Sequence, residues 1–546
     1  MDLRLFMFVV MKHLYTILLC CLFFLCGNAQ TSQVLSGDTL ASDFEYLVEH
    51  LEATHPDPYS GFGGKFFFRK SAFELENQLR AAPHTLQEFY NRVSIFLSHL
   101  QDGHTAIYGL PASKIQKKRV LPLRLKVIPE GLIVTGIPKV SQHLLGSRII
   151  AVNGDSLNRV LTRAAELRAC ENLYDCYNLV CNQIMHEAFL CQLFLKQRDN
   201  VYFTLLTPDN CIEELCLPLL SAQDAYKNIT ATATTSIKIP DKQLSYKFMD
   251  SDKQVMFIKI LQVYGRDNFE FIYQNGWDGL MEQMSSCYNK MGKKMPTDTL
   301  EAIKNIPSFS EVFAEMLMEM KRNKSHTLII DLRGNSGGWS PITLPTLYQL
   351  YGKRSLTIDM GTGYYQLISP LLLQKQNTDL DKFNHSRNAN WKMGDYTLSV
   401  KDTIKIPPAI EYLCRKGIYM SSTPNLLTAQ NGKPLYTPQE VFVVTDSQTF
   451  SAAFHYAFYL WKLGATIVGV PSRQAPNTFM DQTSLKLPYT GLFVSISNSI
   501  QVFMPAKDRR AKIFYPDWMP SYEDYKKYNF DTNTEILYLL EKLKKK

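Results

Sequence analysis

The chain has 546 residues, of which 45% are hydrophobic and 20% are charged. This is a globular composition, and it excludes a collagen, a coiled coil and a disordered chain. The 59 basic and 51 acidic residues give a net charge of +8, spread along the chain apart from the lysines at its C-terminus. A nucleic-acid groove would need clustered Lys and Arg with interleaved aromatic residues. The sequence shows no such cluster, so no nucleic-acid partner is expected.

The N-terminus has the pattern of a secretory signal peptide. An apolar run over 14–25 follows a basic pair, and it is shorter than the roughly 20 residues that span a bilayer. Gly27 and Ala29 supply the small residues that cleavage after Ala29 requires. We therefore predict a signal peptide over 1–29 and an exported chain, periplasmic or extracellular, with no transmembrane span after cleavage. A lipoprotein anchor at Cys26 is disfavoured, because a bulky leucine precedes it.

Cysteines are concentrated in one stretch of the exported chain. Six of them lie between Cys170 and Cys216, and no C-x-x-C pair occurs among them. A zinc cluster is therefore not expected. Export permits disulfides, so the sequence leaves open both buried free thiols and one or two disulfides.

The first half of the mature chain divides into two parts. Apolar spacing near 3.6 predicts a helical N-terminal subdomain over 30–116. Short alternating strands around one helix, including a strand over 120–127, predict a small binding module over 117–220. The Ala/Thr-rich residues 221–240 have little pattern and are predicted to be a linker.

The second half has the pattern of an α/β fold. Continuous apolar runs at Thr327–Asp331 and Glu440–Thr445 are typical of strands buried on both faces of a parallel sheet. A helix from Ser451 and a further strand complete a βαβ unit. We predict a catalytic α/β core over 241–525 with a polar surface insertion at about 370–398. Residues 526–546 are predicted to form a C-terminal helix and a basic tail.

Two segments of this core offer the chemistry of acyl transfer. Ser451 lies where a buried strand turns into a helix, whose N-terminal N–H groups can hold an oxyanion. On position alone it could equally be a helix cap. Gly334, Gly337 and Gly338 follow the other buried strand and leave backbone N–H groups uncovered by side chains. The pair of segments favours a nucleophile with an oxyanion hole.

A histidine is the expected general base, because it titrates near neutral pH. His104 follows an Asp-Gly turn in the helical N-terminal part. His455 is the alternative, since it lies four residues after Ser451 on the same helix face. Packing within an aromatic helix face is the other interpretation of His455.

Together the motifs resemble a known family. Asp-Gly-His-Thr at 102–105, Asp-Leu-Arg-x-Asn-x-Gly-Gly at 331–338 and Thr-x-Ser-Ala-Ala at 449–453 are similar to the tail-specific (C-terminal-processing) serine peptidases. Within that family the chain resembles the tricorn-core branch, whose base is histidine rather than lysine. The resemblance covers most of the mature chain and implies a ClpP/crotonase-like α/β core. It also implies that the 117–220 module is PDZ-like.

The resemblance implies the roles of the site residues. Ser451 is the expected nucleophile, His104 the base, and the N–H groups of Gly338 and Ala452 the oxyanion hole. Neither a metal nor an organic cofactor is implied. In place of the glutamate that the branch often carries before a late Pro-Asp, this chain has Arg510, so the nearest carboxylate, Asp508, is taken as the acid that orients His104.

These residues lead to one function and two alternatives. The sequence predicts an exported serine endopeptidase that cuts polypeptides through an acyl-enzyme. The first alternative is a non-catalytic peptide- or ligand-binding protein on the same fold, which Phe454 in place of the usual glutamate and Arg510 favour. The second is a serine hydrolase acting on esters, which the absence of Gly-x-Ser-x-Gly disfavours.

Overall fold

The computed structural model describes residues 34–110, 119–195, 199–276, 279–357, 363–397 and 421–545. The predicted signal peptide, 1–29, lies outside these residues. Three large clusters of buried apolar side chains organise the described chain: one in an N-terminal helical region, one in a strand-rich module and one in an α/β core. None of the helices described is both long and apolar enough to cross a bilayer.

The N-terminal region is helical, as its apolar spacing predicts. Its elements are β1 (Val34–Leu35), α1 (Gly37–Thr54), α2 (Lys65–Arg80), β2 (His84–Thr85), α3 (Leu86–Ser98) and β3 (Ala106–Tyr108). A capping box between Thr85 and Glu88 starts α3. Phe44 and Phe96 pack edge to face at 5.0 Å in the core of these helices. The turn after α3 leads into β3, which carries the chain across to the catalytic core.

The module contains more structure than its pattern predicts. Its elements are β4 (Arg119–Val120), β5 (Arg124–Ile128), β6 (Gly131–Ile137), β7 (Arg148–Val152), β8 (Asp155–Ser156), α4 (Leu157–Leu167), α5 (Leu173–Gln183), α6 (Glu187–Phe194), β9 (Asn200–Leu206), β10 (Ile212–Pro218), β11 (Leu220–Ser221), α7 (Ala222–Asn228) and β12 (Ala231–Thr232). The sheet runs β10-β9-β7-β6-β12, with β5 on β6. Its six cysteines are free thiols.

Two expectations for this module are wrong. The strand predicted over 120–127 is divided into β4 and β5 around Pro122, which has no N–H to donate to a ladder. Residues 221–240 are not a plain linker, because α7 forms there and β12 pairs with β6. Ala231 is buried in that pairing, so the module continues past residue 220.

The core follows with the remaining elements. They are β13 (Ser245–Phe248), β14 (Val255–Lys259), α8 (Arg266–Gln274), α9 (Leu280–Lys290), α10 (Thr299–Lys304), α11 (Phe309–Asn323), β15 (Thr327–Asp331), α12 (Leu344–Tyr351), α13 (Arg354–Thr357), β16 (Gly363–Gln366), α14 (Pro370–Lys375), α15 (Leu380–Arg387), α16 (Pro424–Ala429), β17 (Glu440–Thr445), α17 (Ala452–Lys462), β18 (Thr466–Gly469), β19 (Asn477–Lys486), β20 (Phe493–Val502), α18 (Tyr522–Lys527) and α19 (Thr534–Lys544). The main sheet runs β13-β14-β15-β17-β18, parallel except for β13. This confirms the predicted α/β core.

A second, antiparallel sheet joins the core to the N-terminal region. The long strands β19 and β20 pair with each other, and β20 also pairs with β16 and with β3. Apolar side chains of β20 complete the core of the N-terminal helices. The segment before β3, which contains His104, is thereby fixed to the catalytic core.

The insertion and the C-terminus are both packed. Within the predicted insertion at about 370–398, α14 and α15 form around buried Leu372 and Phe383. The predicted C-terminal helix is present as α19, which buries Ile536 and Leu539 against the main sheet. Leucines in the polar stretch and isoleucine in the tail therefore supply small cores of their own.

Candidate active site

Ser451 stands at the turn between β17 and α17. Its backbone has φ 52° and ψ −125°, a conformation that residues with side chains avoid at a cost of about 1–3 kcal/mol. Asp446 holds the turn by accepting the N–H groups of Gln448 and Thr449. The Ser451 hydroxyl makes no capping hydrogen bond to the helix. The geometry therefore disfavours the helix-cap interpretation and leaves a half-buried hydroxyl available for chemistry.

The glycine segment after β15 packs directly against Ser451. A Cβ on Gly337 would lie 2.8 Å from the Phe450 carbonyl oxygen and 2.8 Å from the Ser451 Cβ. Only glycine permits so close an approach. Asn335 holds the segment in this position, because its Oδ1 accepts the Gly337 N–H at 2.9 Å.

Two backbone N–H groups at this contact have no acceptor among the residues that the structure describes. Val263 bonds to the residues on both sides of Gly338, through Gly337 O at 2.8 Å and the Trp339 N–H at 2.7 Å. The N–H of Gly338 itself donates to no described residue, and neither does that of Ala452 at the start of α17. The Cβ position of Gly337 is 3.0 Å from Ala452 N, so the glycine segment and the helix start meet at Ser451. Unpaired donors beside a serine are what an oxyanion hole requires.

The Asp-Leu-Arg part of the glycine motif supports the structure. Asp331 is fully buried and pairs with Arg333 at 2.9 Å and Lys259 at 3.1 Å. Burial raises the pKa of Asp331, but Arg333 and Lys259 outweigh it and lower that pKa overall. Arg333 also reaches Glu535 of α19 at 2.7 Å. The network fixes the end of β15, from which the glycine segment departs.

His104 lies in a turn that Asp102 organises. Asp102 Oδ1 accepts the His104 N–H at 2.8 Å, and Oδ2 accepts the Thr105 hydroxyl. The same Oδ2 is 3.3 Å from His55 Nε2. Burial raises the pKa of Asp102, but His55, His104 and Thr105 together outweigh burial and lower that pKa to about 2. An ionised Asp102 therefore holds the backbone of His104 in place.

The ring of His104 lies against the nucleophile turn. It stacks on Phe450, with ring centroids 4.6 Å apart and planes 23° apart. Phe450 directly precedes Ser451, so the fold brings the base and nucleophile segments together. In the part of the chain that the structure describes, no hydrogen bond joins His104 to Ser451. Such bonds are often long before substrate binds and tighten in the complex.

The carboxylate facing His104 belongs to Glu171, a residue that the sequence analysis missed. Its Oε1 is 3.5 Å from His104 Nδ1, and its Oε2 accepts the Ala475 N–H at 2.9 Å. Burial lowers the pKa of His104, but Glu171 and then Asp102 outweigh burial and raise it. No motif surrounds Glu171, so no sequence signal could have selected it.

Asp508 is not the carboxylate beside His104, which corrects the sequence-based expectation. It pairs with Arg510 Nη2 at 2.8 Å and accepts the Arg510 N–H at 2.9 Å. A carboxylate two residues from an arginine is satisfied locally, in a short turn. Arg510 in turn lies over Trp461, with its guanidinium carbon 5.2 Å from the ring centre.

His455, the alternative base, is buried and bonded at both ring nitrogens. Its Nδ1 is 3.0 Å from Ser340 Oγ, and its Nε2 is 2.6 Å from Gln501 Oε1. Burial lowers the pKa of His455 to about 4, so the ring is neutral at pH 7. Phe454, next to it, packs among other aromatic rings of the core. These contacts favour the packing interpretation of His455.

One group of side chains could hold a cation. Within the described ranges, ligand atoms of Asp102, His104 and Glu171 all lie within 4.8 Å of one another. Imidazole nitrogen and carboxylate oxygen are both atoms that bind metal ions in proteins. The predicted absence of a metal therefore stays a prediction.

Comparison with known proteins decides the family. Residues 302–501, which include the glycine segment and Ser451, match the family model described as Peptidase family S41. This segment of the chain therefore resembles the corresponding part of a family of serine peptidases. This confirms the family to which the motifs were compared, the tail-specific peptidases. By sequence, no curated protein gives a significant match to this chain.

Comparison with solved structures also finds chains that resemble this one along most of its length. Mature CPAF is 14% identical with a TM-score of 0.52, over 93% of this chain and 98% of the CPAF chain. Mature CPAF complexed with lactacystin is 14% identical with a TM-score of 0.52, over 92% and 97% of the two chains. The photosystem II D1 C-terminal processing protease is 14% identical with a TM-score of 0.38, over 89% and 94%. The likeness to CPAF shows a common fold along almost the whole chain.

Proposed function

We propose that the chain is an exported serine endopeptidase that hydrolyses peptide bonds through an acyl-enzyme at Ser451, with His104 as the base. The observation that carries this proposal is the strained Ser451 turn, which packs against a glycine segment and has beside it two N–H groups with no acceptor in the described part of the chain. Strain of this kind persists where a function requires it.

The reaction proceeds in two halves. His104 accepts the hydroxyl proton as Ser451 Oγ attacks the scissile carbonyl, and the N–H groups of Gly338 and Ala452 hold the oxyanion. His104 then gives that proton to the leaving amine, and the new N-terminus departs. A water molecule next loses a proton to His104 and attacks the ester carbonyl. Ser451 recovers its proton from His104 when the carboxylic acid product leaves.

The experiment is labelling with a fluorophosphonate probe followed by peptide digestion. We expect the wild-type chain to be labelled at Ser451 and Ser451→Ala to lose both labelling and turnover. Ser286→Ala, at an exposed serine of α9, is the matched control and should keep both. A folded wild-type chain that the probe does not label would favour the alternative, a binding protein on the same fold.

Export rests on the sequence pattern of 1–29. We propose cleavage after Ala29, which gives a mature chain beginning at Gln30, periplasmic or extracellular. N-terminal sequencing of the exported protein tests this. An intact N-terminus at Met1 or Met11 on the exported protein would contradict it.

The module over 119–232 is proposed to be PDZ-like and to bind the substrate polypeptide. Its sheet flanked by α4 and α5 supports this reading. Fluorescence anisotropy of labelled peptides with free and with amidated C-termini, added to the Ser451→Ala chain, tests it. Equal affinity for the two peptides would argue against recognition of the C-terminal tail.

A further inference from the structure

We propose that Glu171, supplied by the module, is the positioning residue for His104, holding its Nδ1 and stabilising the imidazolium that forms when the ring takes the Ser451 proton. This inference rests on the proposed function. It moves the orienting acid from Asp508, near the C-terminus of the core, to a loop between α4 and α5.

Glu171 is the nearer of two carboxylates to His104 Nδ1, since Asp102 Oδ1 lies 3.9 Å away and already accepts the His104 backbone N–H. Glu171 Oε1 and His104 Nδ1 are 3.5 Å apart, and both are buried with no hydrogen-bond partner among the described residues. A buried polar atom left unsatisfied costs about 1–3 kcal/mol. The two atoms face each other, so a protonated Nδ1 that donates to Oε1 satisfies both at once.

The carboxylate is held rigidly for this task. The side chain of Glu171 is 1% exposed. Its Oε2 accepts the Ala475 N–H at 2.9 Å, and its backbone N–H donates to Asp175 Oδ2 at 3.1 Å. One oxygen is thus used for anchoring, and the other is left to face the ring.

Gly103 makes room for the acid. A Cβ at Gly103 would lie 2.8 Å from Glu171 Oε1 and 3.1 Å from the Phe450 ring. The glycine of the Asp-Gly-His-Thr motif therefore allows the module to reach the base. The sequence analysis assigned this glycine only to a turn.

A single loop aligns the acid with the nucleophile. Gln474 Oε1 accepts the Ser451 N–H, and the next residue, Ala475, donates to Glu171. The distance between acid and nucleophile is therefore set by two consecutive residues after β18. This explains how an acid from the module can be in register with a serine of the core.

The geometry assigns distinct tasks to the two ring nitrogens. With Nδ1–H donated to Glu171, the lone pair of Nε2 is free to accept the Ser451 proton. The positive charge that forms on the ring then lies beside the Glu171 carboxylate. Glu171 thereby raises the pKa of His104, as the structure already indicates.

The test is Glu171→Gln, which keeps an acceptor for Ala475 and removes only the charge. We expect kcat to fall about 10²–10⁴-fold with KM little changed. The acid limb of the kcat/KM profile should move to lower pH, because the imidazolium loses its partner. Glu166→Gln, at an exposed glutamate of α4, is the matched control and should leave both kcat and the profile as in wild type.

Further variants separate the outcomes. Glu171→Asp retains the charge at a greater distance, so it should restore part of kcat and part of the pH profile, and it decides the matter if Glu171→Gln does not fold. A wild-type kcat and pH profile in folded Glu171→Gln overturns the inference, as does Asp508→Asn giving the loss and the shift instead. If Glu171→Gln does not fold, a wild-type kcat and profile in Glu171→Asp overturns it, because lengthening the contact would then have no effect. If the inference about Glu171 fails but the probe still labels Ser451 in the wild type, the proposed function is retained. An unlabelled wild type would overturn both.

Discussion

The two halves of the site are built differently. The nucleophile half comes from strand ends of one parallel sheet: Ser451 follows β17 and the glycine segment follows β15, its neighbour. The base half is assembled from three regions, with His104 from the N-terminal part, Glu171 from the module and Ala475 from the core. A parallel sheet brings its strand ends together by construction. Only long-range packing brings the base half together.

The difference predicts different tolerance to change. The nucleophile half depends on backbone geometry, because its donors are N–H groups and its strain lies in φ and ψ. The base half depends on charges and ring contacts between separate regions. Substitutions that add a Cβ should therefore damage the first half, and substitutions that remove a charge should damage the second.

The largest effect is expected at His104. His104→Ala removes the proton acceptor, so we expect peptide turnover to fall about 10²–10⁴-fold and probe labelling of Ser451 to slow equally. His455→Gln should keep much of both, because His455 is neutral at pH 7 and both its nitrogens are bonded. The measurement is the labelling rate of the folded variants. If the labelling rate fell more in His455→Gln than in His104→Ala, His455 would be the base. The base would then lie on the same helix as Ser451 rather than in a distant segment.

The next effect is expected at Gly338. A Cβ there would lie 2.3 Å from the Val263 carbonyl oxygen. Gly338→Val must therefore rotate the N–H of residue 338 or displace the Val263 backbone. Losing one oxyanion donor costs about 10²–10³-fold in kcat. Gly334→Ala is the matched control, since its Cβ meets nothing within 4 Å although its φ is +76°. Equal losses of kcat in the two variants would mean that strain in the segment, rather than the donor at 338, limits turnover.

The sequence predicted the nucleophile half well because that half is local. The runs at β15 and β17 and the helix after Ser451 coincide with the observed elements to within a residue. It predicted the base half poorly. Glu171 lies in no motif, and the strands β19 and β20, which hold the His104 segment through β3, have interleaved polar residues that mask their burial. Pairing between distant segments is a property of the fold, which spacing along the chain does not reveal.

A stability effect should show how α19 supports the nucleophile half. Glu535 is fully buried between Lys126 at 2.8 Å and Arg333 at 2.7 Å. Breaking a buried pair costs about 3–5 kcal/mol, so Glu535→Gln should lower the free energy of unfolding by that order at pH 7. Glu541→Gln, at the partly exposed end of the same helix, should leave the free energy of unfolding close to that of wild type. Urea denaturation checks both.

The pH dependence of that difference follows from the pKa of Glu535. Burial raises this pKa, but Lys126 and Arg333 outweigh it and lower it from 4.5 to about 2. A carboxyl with a depressed pKa contributes stability above its unfolded pKa and loses it as the pH falls through the folded one. The difference in the free energy of unfolding between wild type and Glu535→Gln should therefore narrow as the pH falls from 4.5 to 2. If that difference stays constant over this range, the lost stability comes from packing rather than from the charge of Glu535.

The smallest effect on activity is expected at Arg473, which touches both halves. Its guanidinium carbon lies 4.0 Å from the centre of the Phe450 ring, and it pairs with Asp175 at 3.6 Å. The charge of Arg473 lowers the pKa of His104, so Arg473→Met should move the acid limb of kcat/KM to higher pH, opposite to Glu171→Gln. A shift in the same direction as Glu171→Gln would mean that Arg473 acts by holding the Glu171 loop in place.

Asp175 gives this variant a second readout. Burial raises the pKa of Asp175 to about 6 although Arg473 lowers it, so the pKa should rise further in Arg473→Met. A group with a raised folded pKa takes up a proton on folding and destabilises the folded state as the pH rises above its unfolded pKa, 3.8. The variant should therefore be less stable than wild type at pH 7, and the difference should narrow as the pH falls towards 4. Suppose instead that Arg473→Met loses stability without that pH dependence and leaves the acid limb of kcat/KM in place. Arg473 would then act only by packing on Phe450, and Glu171 would be the contact that joins the two halves.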